Sequence, residues 1–435
     1  MEGKNNKSLI RSWAMFDWAN SAYNLVITST IFPAYYTIIT TTKEHGDKVS
    51  FFGLQFINTA LSNYALSAAY LIMAVLLPVL SSRADYRGNK KTYMKIFTYM
   101  GGIACMGLFF FKLETLEIGI ICFTIAAMGY IGGVMFNNSY LPEIATPDQQ
   151  DRVSAKGFAY GYVGSVILQI ICFVFVLNDQ WFDDKSFPAR LSFLLVGLWW
   201  IGFAQIPFHK LPEGSQNPDK VNKRPASNGF HELQKVWRQL SENKILKRFL
   251  LAFFFYSMGV QTIMLVAANF GEKILHLGTA KLIGIILIIQ IVAILGAFVM
   301  SYFANKKGNI PVLIGVLFVW IGVCISAYYI TNEYQFYALA AIVGLVMGGI
   351  QSLSRSTYSK FMPQNTPDTA SYFSFYDVTE KLAVVIGLFT FAFIEELTGN
   401  MRNSAVSLTV FFIIGMLVLV SIVYVRNSKP EFQPE

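Results

Sequence analysis

The sequence predicts an all-α membrane protein. It should have twelve transmembrane helices in two pseudo-symmetric six-helix halves, with both termini in the cytoplasm. Three observations carry this. Of 435 residues, 54% are apolar and only 14% are charged, against about 25% charged in soluble domains. Apolar stretches of about 20 residues, enough to cross a bilayer, recur along the whole chain. One loop is also spelled twice, about 220 residues apart, each time between two such stretches.

The spans follow in order. The first half covers Trp13–Ile39, Phe56–Leu80, Tyr93–Phe111, Ile118–Tyr140, Val153–Leu177 and Leu191–Phe208. The second covers Phe249–Phe270, Leu282–Ala304, Val312–Ile330, Phe336–Leu353, Tyr372–Ile394 and Val406–Val425. Backbone in lipid must satisfy its own hydrogen bonds, which leaves helices or a closed barrel. A barrel needs alternating segments of about ten residues, and runs such as Leu282–Met300 do not alternate. About three quarters of the 34 basic residues fall on one side of this topology, which places that side in the cytoplasm.

The halves are therefore 1–208 and 249–435, joined by a cytoplasmic linker over 209–248. The linker is polar up to Gly229. Beyond it, Phe230, Leu233, Trp237 and Leu240 fall near one helical face, with Lys235 and Arg238 toward the other. Two readings fit: a helix lying on the inner membrane surface, or a helical lead-in to the seventh span. Pro33 and Pro78 should bend the first and second spans.

The repeated loop reads Ser81-Ser82-Arg83-Ala84-Asp85-Tyr86-Arg87-Gly88-Asn89-Lys90 in the first half and Ser301-Tyr302-Phe303-Ala304-Asn305-Lys306-Lys307-Gly308-Asn309 in the second. A second match has nearly the same offset. Leu141-Pro142-Glu143 with Pro147-Asp148 corresponds to Met362-Pro363-Gln364 with Pro367-Asp368. Two internal repeats at one offset point to a transporter built from duplicated halves.

Several function classes are disfavoured. The net charge of +8 follows from the topology bias and gives no reason to expect nucleic-acid binding. Cys105, Cys122, Cys172 and Cys324 all fall in spans and lack metal-like spacing. His45, His209, His231 and His276 are scattered over loops and span ends, so no metal site is expected. The first apolar segment is too long for a cleavable signal peptide and lacks a small-residue cleavage site. There is no phosphate-binding Gly-rich loop, no His-Glu-x-x-His and no Gly-x-Ser-x-Gly, so neither an ATP-driven pump nor a membrane-embedded enzyme is expected. No catalytic residues and no cofactor are assigned.

The Asp-x-x-Gly-x-Lys pattern of Asp85, Gly88 and Lys90 resembles the signature loop of the major facilitator superfamily. Phe16-Asp17-Trp18-Ala19-Asn20-Ser21-Ala22-Tyr23 is similar to the opening motif of its vacuole-effluxer-like branch. Asn138-Ser139-Tyr140-Leu141-Pro142-Glu143, Ser154-Ala155-Lys156-Gly157-Phe158-Ala159-Tyr160-Gly161-Tyr162, Gly348-Gly349-Ile350-Gln351-Ser352-Leu353-Ser354-Arg355-Ser356, and Phe375-Tyr376-Asp377 with Lys381 also resemble it. The similarity covers nearly the whole chain. It implies the major facilitator fold, with the first, fourth, seventh and tenth helices lining a central cavity. It also implies alternating-access transport of small polar solutes, amino acids first, in the export direction. Departures are Tyr86 and Ser81 in the signature loop, a fourth span without Arg, and a fifth span without the Gly-Pro pattern of drug antiporters.

Polar residues inside spans are costly and need a role. In the first span Asp17, Asn20 or Ser21, Asn24 and Thr28 form one stripe at helical spacing. Asp17 has two readings, a partner for a substrate amine or a proton, or a carboxylate about one turn in, stabilised by the helix dipole. Asn137, Asn138, Tyr256, Gln261, Asn269, Gln351 and Ser352 add cavity candidates. Roughly half of such amides should merely bond between helices. The eleventh span carries Tyr376, Asp377, Glu380 and Lys381. Asp377 and Lys381 can pair at i, i+4, leaving Glu380 surplus to take up and release a proton. Alternatively Lys381 neutralises both carboxylates in a static network. In the loop, Asp85, Arg87, Gly88 and Lys90 are expected to gate, with Asp85 anchoring one access state and the second copy a basic, topology-setting turn. Arg355 has two readings, pairing with an acidic group across the half-interface or, the preferred one, snorkelling to headgroups. Gly157, Gly161, Gly344 and Gly348 should allow close helix packing.

The expected partners are a small-molecule substrate, the lipid bilayer and protons. The protein should work as a monomer in the plasma membrane of a bacterium, an organelle membrane being the alternative. Rival functions are a lipid or lysolipid transporter (flippase) on the same fold and a non-transporting receptor or scaffold.

Overall fold

The computed structural model describes residues 4–42, 46–214 and 228–428; the side chains of 228–233, 279, 280 and 426–428 lie outside that description, and so do His45, His231, Phe230 and Leu233 as side chains. The first span is α1 (Lys7–Ala22), a π-helical turn over Tyr23–Thr28 and α2 (Ile31–Thr40). A short hairpin follows, β1 (Lys48–Phe51) pairing antiparallel with β2 (Leu54–Ile57), Val49 opposite Phe56. Next come α3 (Asn58–Arg87), α4 (Lys90–Gly107), α5 (Leu116–Asn138), the one-turn α6 (Leu141–Ile144), α7 (Gln150–Val176) and α8 (Phe187–Lys210). The linker helix is α9 (Asn228–Glu242). The remaining helices are α10 (Lys244–Leu275), α11 (Thr279–Lys307), α12 (Asn309–Tyr329), α13 (Glu333–Phe361), α14 (Thr369–Thr398), α15 (Met401–Ser407) and α16 (Thr409–Ser428).

The predicted spans are largely helical, although Phe56 and Ile57 lie in β2 and Ser29 and Thr30 interrupt the first span. Among the described residues, 10 helices are long and apolar enough to cross a membrane. The first span is split, and α14 carries Asp377, Glu380, Lys381, Glu395 and Glu396, which sets it apart. Large apolar side chains such as Val75, Phe318, Phe389 and Leu417 stand exposed on these helices. Water would not tolerate so much apolar surface, and lipid does.

The chain forms two compact units. One contains Lys7–Tyr140 and Tyr160–Lys223; the other contains Met1–Asn6, Leu141–Ala159 and Arg224–Glu435. Thus the segment Leu141–Ala159, which span order groups with the first half, packs with the second, and the boundary runs through α7.

In the first unit, aromatic rings fill the core around α2. Phe32 stacks on Phe123 with centroids 4.2 Å apart, and Tyr35 donates its hydroxyl to the Phe111 carbonyl at 2.6 Å. Small residues let helices touch: a methyl on Gly164 of α7 would stand 2.6 Å from the Trp18 carbonyl oxygen. In the other unit, a methyl on Gly344 of α13 would stand 2.6 Å from the Ile289 carbonyl oxygen of α11. The Gly344/Gly348 pair is therefore a packing device, as its spacing predicts.

Helix ends follow their sequence. Asn243, Asn332 and Asn400 accept backbone N–H bonds at N-termini from Leu246, Gln335 and Arg402. Gly88 ends α3 at φ 64, a conformation that costs Gly little. The repeated loop is mostly helix: α3 runs unbroken through Pro78 to Arg87, and α11 runs to Lys307. Pro33 acts differently, because the first span breaks at Ser29 and Thr30. Pro33 has no N–H, and its ring crowds the carbonyl four residues earlier, that of Ser29.

The linker helix α9 is a separate element joined to α10 through Asn243 alone. Val236 and Leu240 are buried; Trp237 is 57% exposed, its ring 5.5 Å from that of Phe375. Lys235 pairs with Asp368 at 3.4 Å, and Gln239 accepts from the Tyr372 hydroxyl at 3.2 Å. Side-chain bonds thus hold α9 to the start of α14.

Candidate functional site

Within the first unit, Asp17 and Asn137 come together. Asn137 Nδ2 donates to Asp17 Oδ1 at 3.3 Å, and Trp13 Nε1 donates to the Asn137 carbonyl at 2.8 Å. Both Asp17 and Asn137 are buried, as are Asn20 and Asn138. α1 begins at Lys7, so Asp17 lies almost three turns in, at about 3.6 residues per turn. A helix dipole acts within the first turn, so it does not explain this carboxylate. Asn20 Nδ2 has no hydrogen-bond partner. Asn24 is exposed and sits in the π turn. That turn resets the helical phase, so Thr28 does not continue the stripe that an unbroken α-helix would give.

The loop residues also lie in this unit. Asp85 is buried on the last turn of α3, and Arg87 is exposed. Lys90 is buried, its Nζ 3.4 Å from the Ser139 carbonyl and 4.0 Å over the Tyr140 ring. Lys91 donates to the Leu211 carbonyl at 2.9 Å and pairs with Glu213 at 3.3 Å. Asn305, the counterpart of Asp85, is exposed.

The other unit holds the ionic cluster of α14, and its pairing differs from expectation. Lys381 Nζ lies 2.7 Å from Glu380 Oε2 and 4.0 Å from Asp377 Oδ1. Gln261 Nε2 of α10 donates to Glu380 Oε1 at 2.9 Å. Glu380 is therefore not surplus. The long Lys381 side chain curls back to its neighbour, and Gln261 supplies a second donor. Asp377 is the less satisfied carboxylate, 3% exposed, with Oδ2 lacking a hydrogen-bond partner. Nearby, the Tyr256 and Ser354 hydroxyls are 2.7 Å apart, and Tyr376 stacks on Phe253 at 4.2 Å. Gln351 and Gln261 are half-buried, and Asn269 is exposed.

Arg355 corrects the snorkelling expectation. It is 3% exposed. Its Nε donates to Ser154 Oγ at 3.0 Å and its guanidinium to the Ser154 carbonyl at 2.8 Å, with the cation 4.2 Å over the Phe158 ring. These partners lie on α7, inside the same unit. An Arg here is worth more packed against a hydroxyl, a carbonyl and a ring than sent to distant headgroups.

A second network there was missed by sequence. Asp151 Oδ2 takes Lys360 Nζ at 2.5 Å, and Asp151 Oδ1 takes Asn309 Nδ2 at 2.7 Å. Asn309 also donates to Thr357 at 2.9 Å and accepts from Lys360 at 3.1 Å. The second loop copy is thus more than a basic turn, because its last residue joins a buried carboxylate. The signal was the Asn after Gly308, conserved in type with the Asn after Gly88 within this one chain.

An apolar cavity of about 60 Å³ lies among α10–α15, walled by Phe270, Ile289, Cys324, Phe336, Val343 and Phe391. None of the polar candidates lines it. Among the described residues there is no group of three His, Cys, Asp or Glu able to hold a metal ion, and the four cysteines are free.

The family model described as "Vacuole effluxer Atg22 like" matches residues 5–433. The chain belongs to the Atg22-like vacuole effluxer family. An "Uncharacterized MFS-type transporter YxiO" of Bacillus subtilis (strain 168) is 31% identical over 414 residues, covering 94% of this chain and 93% of that protein. The "Autophagy-related protein 22" of Saccharomyces cerevisiae (strain ATCC 204508 / S288c) is 24% identical over 409 residues, covering 82% of this chain and 76% of that protein. Among solved structures, the E. coli fucose:proton symporter superposes with TM-score 0.69 at 12% identity, covering 95% of this chain and 97% of that one. The human organic anion transporter MFSD10 does so with TM-score 0.71 at 10% identity, covering 96% and 100%. The fold is that of the major facilitator superfamily. This Atg22-like protein is an integral multi-pass membrane protein, a secondary transporter of a small-molecule substrate rather than an enzyme.

Proposed function

We propose that this Atg22-like protein exports amino acids or closely similar small polar solutes, coupled to protons, from the cytoplasm of a bacterium across its plasma membrane. It would work as a monomer by alternating access between the halves 1–208 and 249–435. The observation that carries the substrate class is the buried Asp17–Asn137 pair. A carboxylate held by a neutral amide, with the free Asn20 amide one turn away, offers an acceptor for a substrate ammonium and a donor for its carboxylate. Membership of a vacuole-effluxer family supports efflux, and the Bacillus relative supports a bacterial membrane.

Proton coupling rests on the α14 cluster. Glu380 has Lys381 and Gln261, so Asp377, with one oxygen unpartnered, is the group we assign to carry the proton, Lys381 shifting between the two carboxylates. In proteoliposomes preloaded with an amino-acid mixture, an inward proton gradient should drive efflux. Asp377→Asn should abolish the dependence on that gradient, while Glu380→Gln should weaken it less. Gradient-independent efflux by the unmodified protein, or full gradient dependence in Asp377→Asn, would refute the assignment. No efflux of any amino acid would refute the substrate class.

A further inference from the structure

The first span is interrupted in a way that concentrates oxygen atoms. After the π turn over Tyr23–Thr28, Ser29 closes on the Asn24 carbonyl with both its N–H at 3.1 Å and its hydroxyl at 2.9 Å. Thr30 lies outside helical geometry at φ −132 and ψ −78. Its Oγ1 is 2.7 Å from the Leu25 carbonyl oxygen, 3.3 Å from that of Val26 and 2.8 Å from Gln169 Oε1 of α7. All four residues belong to the same compact unit.

A hydroxyl has one hydrogen. Three acceptor oxygens face it, so at least one lacks a full hydrogen bond. Gln169 supplies the fourth oxygen at the break. It is 0% exposed and its Nε2 has no partner. Turning that amide over would let Nε2 serve Thr30, but would strand Oε1 instead. In either orientation a buried amide atom at the break is left over, and such atoms are costly. π turns gather at functional sites, and carbonyls of interrupted membrane helices are a known way to coordinate cations.

We propose that the break in the first span binds a monovalent alkali cation, Na⁺, through the Leu25 and Val26 carbonyls, Thr30 Oγ1 and Gln169 Oε1. Hard oxygen donors suit such ions. These four are uncharged, which favours a monovalent ion over a divalent one. On binding, the Thr30 hydroxyl hydrogen turns away and its lone pairs face the ion. The ion then ties the π turn, the restart of α2 and α7 together beside the exposed Asn24. This inference is independent of the proposed substrate, since its readout is binding.

The test is thermal unfolding of the purified full-length protein in choline chloride, titrated with NaCl, LiCl or KCl at constant ionic strength. Na⁺ should raise the apparent Tm saturably, by on the order of 2 °C, more than K⁺ does. Thr30→Val should remove the shift. Gln169→Glu adds a charge at the ion and should lower the half-saturating Na⁺ concentration by about tenfold. If Thr30→Val does not fold, Gln169→Glu alone decides. Equal shifts with Na⁺, K⁺ and choline, or an unchanged Na⁺ titration in either folded variant, would overturn the proposal. A shift given by methylammonium but not by Na⁺ would overturn it too, assigning the oxygens to a substrate amine.

Discussion

Replacing Lys360 with Met should destabilise the protein more than replacing Asp151 with Asn, and the double replacement should be no worse than the first alone. The asymmetry comes from burial. The Asp151 side chain is 0% exposed, while that of Lys360 is 22% exposed. Losing the cation leaves a buried carboxylate that still accepts from Asn309. Breaking a buried pair costs about 3–5 kcal/mol. Asn309 stays in place, so the lower end, about 3 kcal/mol, is the expected value. Losing the anion is milder, about 1–2 kcal/mol, because Lys360 keeps a path to solvent and the Asn309 oxygen at 3.1 Å. In the double variant an amide faces an amide and no charge is stranded, so the effects are strongly non-additive. For a chain of this length 1 kcal/mol corresponds to about 1–2 °C, so Lys360→Met should lower the apparent Tm by about 3–6 °C. The assay is thermal unfolding of all four proteins in one detergent. Additive shifts, or a Lys360→Met variant as stable as the parent, would refute the claim that Asp151 is a buried charge held by Lys360.

Two further outcomes follow from packing and titration. Gly344→Leu should prevent folding or lower the apparent Tm sharply, since even a methyl there meets the Ile289 backbone oxygen; Gly284→Leu, with open space around it, should be near neutral. Asp184, in the loop before α8, is held below the usual carboxylate range, first by the Ser186 hydroxyl and then by its backbone N–H. A lowered folded value means stabilisation that is present above the unfolded value and lost as pH falls through the folded one. Ser186→Ala should therefore shrink the acid-side loss of Tm, and an unchanged acid limb would contradict the role of that hydroxyl.

The helical type and approximate place of the apolar spans were legible because each helix needs its own apolar length, and this shows without any tertiary contact. Packing glycines were legible for the same reason: Gly344 and Gly348 are local to one helix. What one helix cannot show is which neighbour arrives. The i, i+4 spacing of Asp377 and Lys381 made their pair look primary, yet Gln261 comes from another helix and draws Glu380 into the stronger contacts. Arg355 looked like a residue at a span end, whereas α7 brings Ser154 and Phe158 over it. The sequence predicts only a bend of the first span at Pro33, with the polar stripe running on to Thr28. The cost of Pro33 falls on Ser29, and the chain absorbs it as a π turn that changes the phase of every polar residue beyond Tyr23.

That last difference bears on coupling. Had the first span been one α-helix, Thr30 would have bonded along its own turn, and the only ionisable candidates for driving transport would have been the carboxylates. The interruption instead turns Thr30 toward two backbone carbonyls and Gln169, in a unit that does not contain Asp377. A proton carrier and an alkali-ion site are therefore separable by mutation. Loss of gradient dependence in Asp377→Asn with intact Na⁺ stabilisation, together with the reverse pattern in Thr30→Val, is the result these two sets of contacts require.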